Sequence, residues 1–121
     1  MNKITFTIIT VVYNDKSNIE KTIKSIITQK FKNFQFIIID GNSTDGTKDL
    51  INKYKDKINV YISEKDEGIY DAMNKGIKLS KGEYINFLNS GDTYSNDNVL
   101  QIVYNNIVNN QTKLLSSDFV I

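Results

Sequence analysis

The 121-residue chain contains no cysteine and no histidine, and both absences narrow its chemistry. Without cysteine there is no disulfide, no thiolate metal ligand and no thiol nucleophile, and without histidine the commonest acid/base group and zinc ligand is missing. Any metal must be held by oxygen. That suits Mg²⁺ or Mn²⁺, hard cations that sit on one or two carboxylates together with substrate phosphates. An excess of one charge is missing too: 15 Lys+Arg against 14 Asp+Glu leave a formal net charge of +1. With the two signs mixed along the chain, no basic face points to nucleic acid and no acidic tail to a solvating segment. No apolar run approaches the roughly 20 residues of a membrane span. The opening MNKITFTIITVV places Lys3 before an apolar run, as a signal peptide does. Thr5, Thr7 and Thr10 interrupt it and no small-residue cleavage site follows, so a β-strand is the better reading and a cytoplasmic protein is expected. The length allows one domain with an ordinary core.

Apolar patterning divides the chain into alternating strands and helices. A strand is expected at Phe6–Val12, and Ser17-Asn18-Ile19-Glu20 has the spacing of a capping box opening a helix. In that helix Ile19, Ile23, Ile26 and Ile27 form an apolar stripe, each buried Ile contributing about 1.5–3 kcal/mol. A second strand at Phe34–Ile39 ends in Asp40 and is followed by a helix over about Thr47 to Tyr54. A strand at Val60–Ser63, a helix at Ile69–Leu79 with Ile69, Met73 and Ile77 at helical spacing, and a strand at Tyr84–Leu88 come next. A helix over about Asn98–Asn109, with Val99, Ile102, Val103 and Ile107 on one face, precedes a last strand near Leu114–Val120. The alternation predicts an α/β fold with a mainly parallel sheet flanked by helices.

In such sheets ligands collect beyond the carboxyl ends of the strands, which singles out two strand ends. The first is Phe34 to Thr47, FQFIIIDGNSTDGT. Its glycine turn superficially resembles GxxxxGK[ST], but Thr47 stands where the phosphate-binding Lys is required, which argues against an ATPase or GTPase reading. A dinucleotide-binding domain needs its glycines after the first strand, where Val11-Val12-Tyr13-Asn14-Asp15 has none. Tyr13 instead offers a flat ring able to cover a base, or is simply a half-buried aromatic. Asp40 either accepts a hydrogen bond from a base or a sugar hydroxyl, or fixes the turn that follows it. Asp45, beside Gly46, reads as a helix cap. The second strand end is Leu88-Asn89-Ser90-Gly91-Asp92, where Asp92 is a turn residue or a cation ligand. Between them, Ser63 to Ile77 is a charged loop and helix in which Asp71 and Asn74 share a face and Lys75 is a candidate diphosphate partner.

Taken together, TIITVVYND, IIIDGNSTDGT, SEKDEGIYDAMNKGI and YINFLNSGD resemble, in order and spacing, the amino-terminal nucleotide-sugar-binding half of inverting family 2 glycosyltransferases with the GT-A (Rossmann-like) fold. The resemblance covers nearly the whole chain. It implies nucleoside contacts at Tyr13 and Asp40, further nucleotide contacts at Asp71, Asn74, Lys75 and Asn89, and a Mn²⁺ or Mg²⁺ on Asp92. It implies a nucleotide-diphosphate sugar, with UDP the expected nucleotide, as donor and a glycan or lipid-linked acceptor, in polysaccharide synthesis on the cytoplasmic side of a bacterial membrane. Two departures stand out: Asn89 and Gly91 replace acids found in many members, and Met73 replaces an Arg. The catalytic base, an Asp or Glu, and the acceptor-binding part are expected beyond residue 121.

The chain is therefore expected to be a truncated domain, residues 1–121 forming the donor-binding part, able to self-associate through the strand edge at Phe119-Val120-Ile121. The alternatives are a noncatalytic nucleotide or carbohydrate-binding module, and a nucleotidyltransferase. The latter requires a glycine-rich, basic loop after the first strand, where residues 13–18 offer only Lys16.

Overall fold

The computed structural model describes residues 3–110. In chain order these form β1 (Phe6–Val12), α1 (Ile19–Ile27), β2 (Phe34–Asp40), α2 (Thr47–Asn52), a 3₁₀ turn (Lys55–Lys57), β3 (Val60–Ser63), α3 (Ile69–Leu79), β4 (Tyr84–Phe87) and α4 (Val99–Asn109). The four strands make one parallel sheet in the order β3-β2-β1-β4. Val12 lies opposite Asp40, and Asp40 opposite Ser63, so three strand ends finish level with one another. The expected strand near Leu114–Val120, and any pairing through its edge, lie outside the described residues.

β1 and β2 are central, and their side chains are buried on both faces, which is why they read as continuous rather than alternating apolar runs. On one face Phe6, Ile8, Phe36 and Ile38 pack with Ile19, Ile23 and Ile26 of α1, Ile51 of α2, and Val99, Leu100 and Ile107 of α4. On the other, Ile9, Ile37 and Ile39 meet Ala72 of α3.

Four local expectations are corrected. The capping box does not form: Asn18 precedes α1 without a side-chain cap. The backbone carbonyl of Asp15 instead receives the N–H groups of Asn18 and Ile19, at 3.1 and 3.0 Å. Glu20 accepts the Tyr54 hydroxyl, a bond that holds its carboxyl below the ordinary range. α2 ends at Asn52, two residues short of Tyr54. On α3 the docking face is Ala72 and Gly76, while Ile69 and Ile77 stand about half exposed. Small residues win there because the helix lies close: a Cβ at Gly76 would be 2.7 Å from Ile9 Cγ2. On α4, similarly, Ile102 is exposed and Leu100 buried.

Gln29, fully buried at the end of α1, supplies a tie that apolar patterning does not reveal. Its amide donates to the carbonyls of Ser25 (3.2 Å) and Asn96 (2.6 Å), and its carbonyl accepts the Leu100 N–H at 3.1 Å, near the start of α4. Gln29→Ala leaves the buried Leu100 N–H without its acceptor, removes two further hydrogen bonds, and is expected to cost about 2–3 kcal/mol. Amide hydrogen exchange should accelerate first in α4, and a uniform change across the chain would contradict this assignment.

Candidate functional site

From β1 the chain winds to β2 and β3 on one side, then returns to place β4 on the other side of β1. Loops leaving neighbouring strands diverge at such a switch point, which opens a crevice beyond their carboxyl ends. A crevice of about 380 Å³ lies there, lined by Val11, Val12, Tyr13, Asn14 and Asp15, by Asp66, Gly68 and Ile69 from the β3–α3 connection, and by Ser90 after β4. Tyr13 is 63% exposed, so its ring is a face presented to the crevice rather than part of the core.

The loops that carry this rim are stitched together through Ser43. Asp40 is fully buried. Its carboxylate accepts the Ser43 N–H (3.1 Å), the Ser43 hydroxyl and the Ser63 hydroxyl (2.7 Å). The Ser43 hydroxyl oxygen in turn accepts the Asn14 N–H at 2.8 Å, and the Asn14 side chain accepts the Thr44 N–H at 2.7 Å. Asn14 is held in the left-handed region at φ 47°, next to Tyr13 in the chain. Asp40 therefore occupies the turn-fixing role of the two open to it, and does not line the crevice. It acts on Tyr13 through Ser43 and Asn14. Asp45 receives the N–H of Thr47, the first residue of α2, from one position beyond the Gly46 cap, and that of Lys16 at 3.1 Å. The Thr47 hydroxyl bond, ahead of these two, keeps the Asp45 carboxyl below its ordinary range against the opposing effect of burial.

Asp71, Asn74 and Lys75 lie beside the crevice lining rather than in it. Asp71 accepts the Glu67 N–H at 2.9 Å, tying the residues ahead of α3 to its first turn. Lys75 pairs with Glu64 at 3.0 Å and Asp71 at 3.7 Å, and donates to the Lys65 carbonyl at 3.2 Å. Its hydrogen bond to Glu64 raises the ammonium pKa above the ordinary value, with burial acting in the other direction. Lys75 thus clamps the 64–68 loop onto α3. Asn74 is exposed. Asn89 accepts the Val11 N–H through its side-chain carbonyl at 3.2 Å, extending the β1–β4 pairing past the end of the strand. Ser90 donates to the Asp15 carboxylate at 2.8 Å, and the Gly91 N–H donates to the Thr22 hydroxyl at 2.9 Å. These bonds leave the exposed Asp92 on a turn closed by its own N–H to the Asn89 carbonyl, at 2.9 Å.

Of the crevice residues only Tyr13 is singled out by the sequence, and Asp66 is an acid on the same wall that it does not mark. Asp66 lies among charges that read as a solvated loop, yet its carboxylate borders the space next to Gly41. A Cβ added at Gly41 would be 2.9 Å from Asp66 Oδ2 and 3.3 Å from Tyr13 Cδ1. The available signal was Gly41 itself, which directly follows a strand end and has no positive φ to explain it.

Residues 7–119 match Glycosyl transferase family 2. The chain belongs to that family. Among its relatives is an Escherichia coli protein, UDP-Glc:alpha-D-GlcNAc-diphosphoundecaprenol beta-1,3-glucosyltransferase WfaP, 43% identical over 70% of this chain and 34% of its own length. Among solved structures, Staphylococcus aureus TarS in complex with UDP-GlcNAc superposes with a TM-score of 0.81 at 26% identity, covering 88% of this chain and 32% of that one. The mannosyltransferase PcManGT of Pyrobaculum calidifontis, solved with GDP-Man and Mn²⁺, gives a TM-score of 0.73 at 20% identity over 82% of this chain and 31% of its own, a likeness of fold alone. The parallel sheet flanked by helices is thus GT-A-like, as the sequence motifs implied. The chain spans about a third of the length of each of these three relatives.

Family 2 members of the GT-A type imply a divalent cation. Among the described residues no three Asp, Glu, His or Cys side chains gather into a cage. A cation of the Mg²⁺ type needs only one or two carboxylates when substrate phosphates complete its shell. The exposed Asp92 meets that lesser demand.

Proposed function

We propose that residues 1–121 are the donor-binding part of a GT-A glycosyltransferase domain. Its full-length parent transfers a sugar from UDP to an acceptor hydroxyl with inversion, in the synthesis of a surface glycan on the cytoplasmic side of a bacterial membrane. The observation that carries this reading is the crevice at the switch point between β1 and β4, with the exposed Tyr13 ring on its wall. The kinship with TarS, solved with UDP-GlcNAc, and with WfaP, whose name specifies UDP-Glc and a lipid diphosphate acceptor, supports the nucleotide and the acceptor class.

In this reading Tyr13 stacks on the base, and Asp40, through Ser43 and Asn14, holds the loop that presents it. The turn after β4, anchored by Asp15 and Thr22, carries Asp92 toward the diphosphate. Asp92 is the residue that would hold a divalent cation, which when bound would supply positive charge to neutralise the diphosphate. Asn89 and Asn74 are the neutral polar groups for ribose and phosphate oxygens, while Lys75 serves chiefly to keep the 64–68 loop in place. No residue of this chain is assigned as the base that deprotonates the acceptor, and nucleotide binding is the property expected of the chain itself.

Titration of the chain with UDP, with and without Mn²⁺, tests the site. Binding at millimolar nucleotide or tighter is expected, strengthened by Mn²⁺ in the parent chain and not in Asp92→Asn. Tyr13→Ala is expected to weaken UDP by roughly tenfold, from loss of about 1–3 kcal/mol of base stacking. Absence of UDP binding under both conditions would remove the donor-site assignment.

A further inference from the structure

We infer that Asp66 is the residue that selects the nucleobase, by accepting the N3–H of a uracil ring laid against Tyr13. This rests on the nucleotide-site reading above and adds which side chain reads the base. The two oxygens of Asp66 have different surroundings. Oδ1 accepts the Gly68 N–H at 3.1 Å, which fixes the carboxylate in its own loop. Oδ2 points toward Gly41 and Tyr13, and no donor among the described residues reaches it. Asp66 also lines both the main crevice and the smaller one that adjoins it at Tyr13 and Gly41.

Gly41 is what makes the arrangement possible. The Cβ of any other residue there would stand 2.9 Å from Oδ2 and 3.3 Å from the ring, in the space that the carboxylate and the aromatic edge now share. The loop bearing Asp66 is held from behind, by Lys75 on Glu64 at 3.0 Å and on the Lys65 carbonyl at 3.2 Å, so the carboxylate is preorganised rather than mobile on a free loop.

An ionised carboxylate accepts hydrogen bonds and donates none. Beside a stacked pyrimidine it favours a ring edge with an N–H at position 3, which uracil has. Cytosine presents a lone pair at the same place, and its approach would leave a partly buried acceptor facing another acceptor.

The test compares UDP, 3-methyl-UDP and CDP on the 121-residue chain by NMR titration or calorimetry. UDP is expected to bind roughly tenfold or more tightly than either analogue, the range for one hydrogen bond to a charged group. Asp66→Ala should lower UDP affinity by the same factor while leaving that for 3-methyl-UDP unchanged, a non-additivity that a merely structural role would not produce. Gly41→Ala keeps the carboxylate but pushes it aside, and should lower UDP affinity with little change in Tm. Equal binding of UDP and 3-methyl-UDP by the parent chain would overturn the inference without any variant, even where Asp66→Ala fails to fold. So would a folded Asp66→Ala that binds UDP as the parent does, and in either case the nucleotide site itself would stand. Failure of the parent chain to bind UDP at all would instead remove the reading beneath it.

Discussion

Asp40→Ala is expected to cost on the order of 3–5 kcal/mol of folding stability, a large fraction of what holds a domain of this size together. The carboxylate is inaccessible to water and accepts three donors, the Ser43 N–H and the hydroxyls of Ser43 and Ser63. Truncation removes the acceptor of all three, the two of Ser43 being buried, and leaves a cavity that water must enter or the turn must collapse to fill. Urea denaturation monitored by circular dichroism reads the loss directly. Ser63→Ala, which removes a single donor from the same carboxylate, should cost only about 1–3 kcal/mol. A loss below about 1 kcal/mol for Asp40→Ala would mean that the carboxylate is not the centre of the turn. Because the bond from Asn14 to Ser43 passes this constraint to Tyr13, nucleotide affinity should fall in any Asp40 variant that remains folded.

Gly82→Ala is expected to be similarly damaging for a different reason, about 3 kcal/mol or more from overpacking against backbone. Gly82 lies in the turn between α3 and β4, and its N–H donates to the Thr7 hydroxyl at 2.8 Å. A Cβ there would stand 2.5 Å from both the Phe6 carbonyl carbon and the Thr7 nitrogen, atoms of the central strand that no rotamer change can move. The same turn is pinned by the buried Gln35, which accepts the Thr7 hydroxyl and the Lys81 N–H, each at 2.8 Å. Gly82 therefore cannot retreat without breaking these bonds. Gly68→Ala makes the internal comparison: nothing lies within 4 Å of its Cβ position, and only the backbone strain at φ +112° opposes it. A thermal shift for Gly82→Ala no larger than that for Gly68→Ala would refute the close-approach account.

The elements were legible because apolar periodicity is a local property of the chain. β1 and β3 have the expected boundaries and β2 extends one residue further, through Asp40; α3 also has its expected boundaries, although its buried face differs. The four motifs likewise placed the chain in its family. What sequence did not reveal was orientation and occupancy. Ile69, Met73 and Ile77 obey a helical spacing, yet α3 docks through Ala72 and Gly76, because contact with Ile9 rewards smallness rather than hydrophobicity. Ser17 and Glu20 have the spacing of a capping box, but Tyr54 competes successfully for the Glu20 carboxylate. Asp40 and Asp66 are both acids near strand ends, and only their packing distinguishes a buried turn anchor from a carboxylate open to the crevice.

By itself the sequence determined the α/β alternation, the restriction to oxygen among the side-chain donors it could offer a metal, which follows from lacking Cys and His, and the family. Each of these depends on composition or on spacing along the chain, which are complete before folding. Only the tertiary structure decided which carboxylate faces the crevice. Asp66 and Gly41 are distant in sequence, and the meaning of a missing side chain at position 41 depends on which atoms a third element brings into the vacated space.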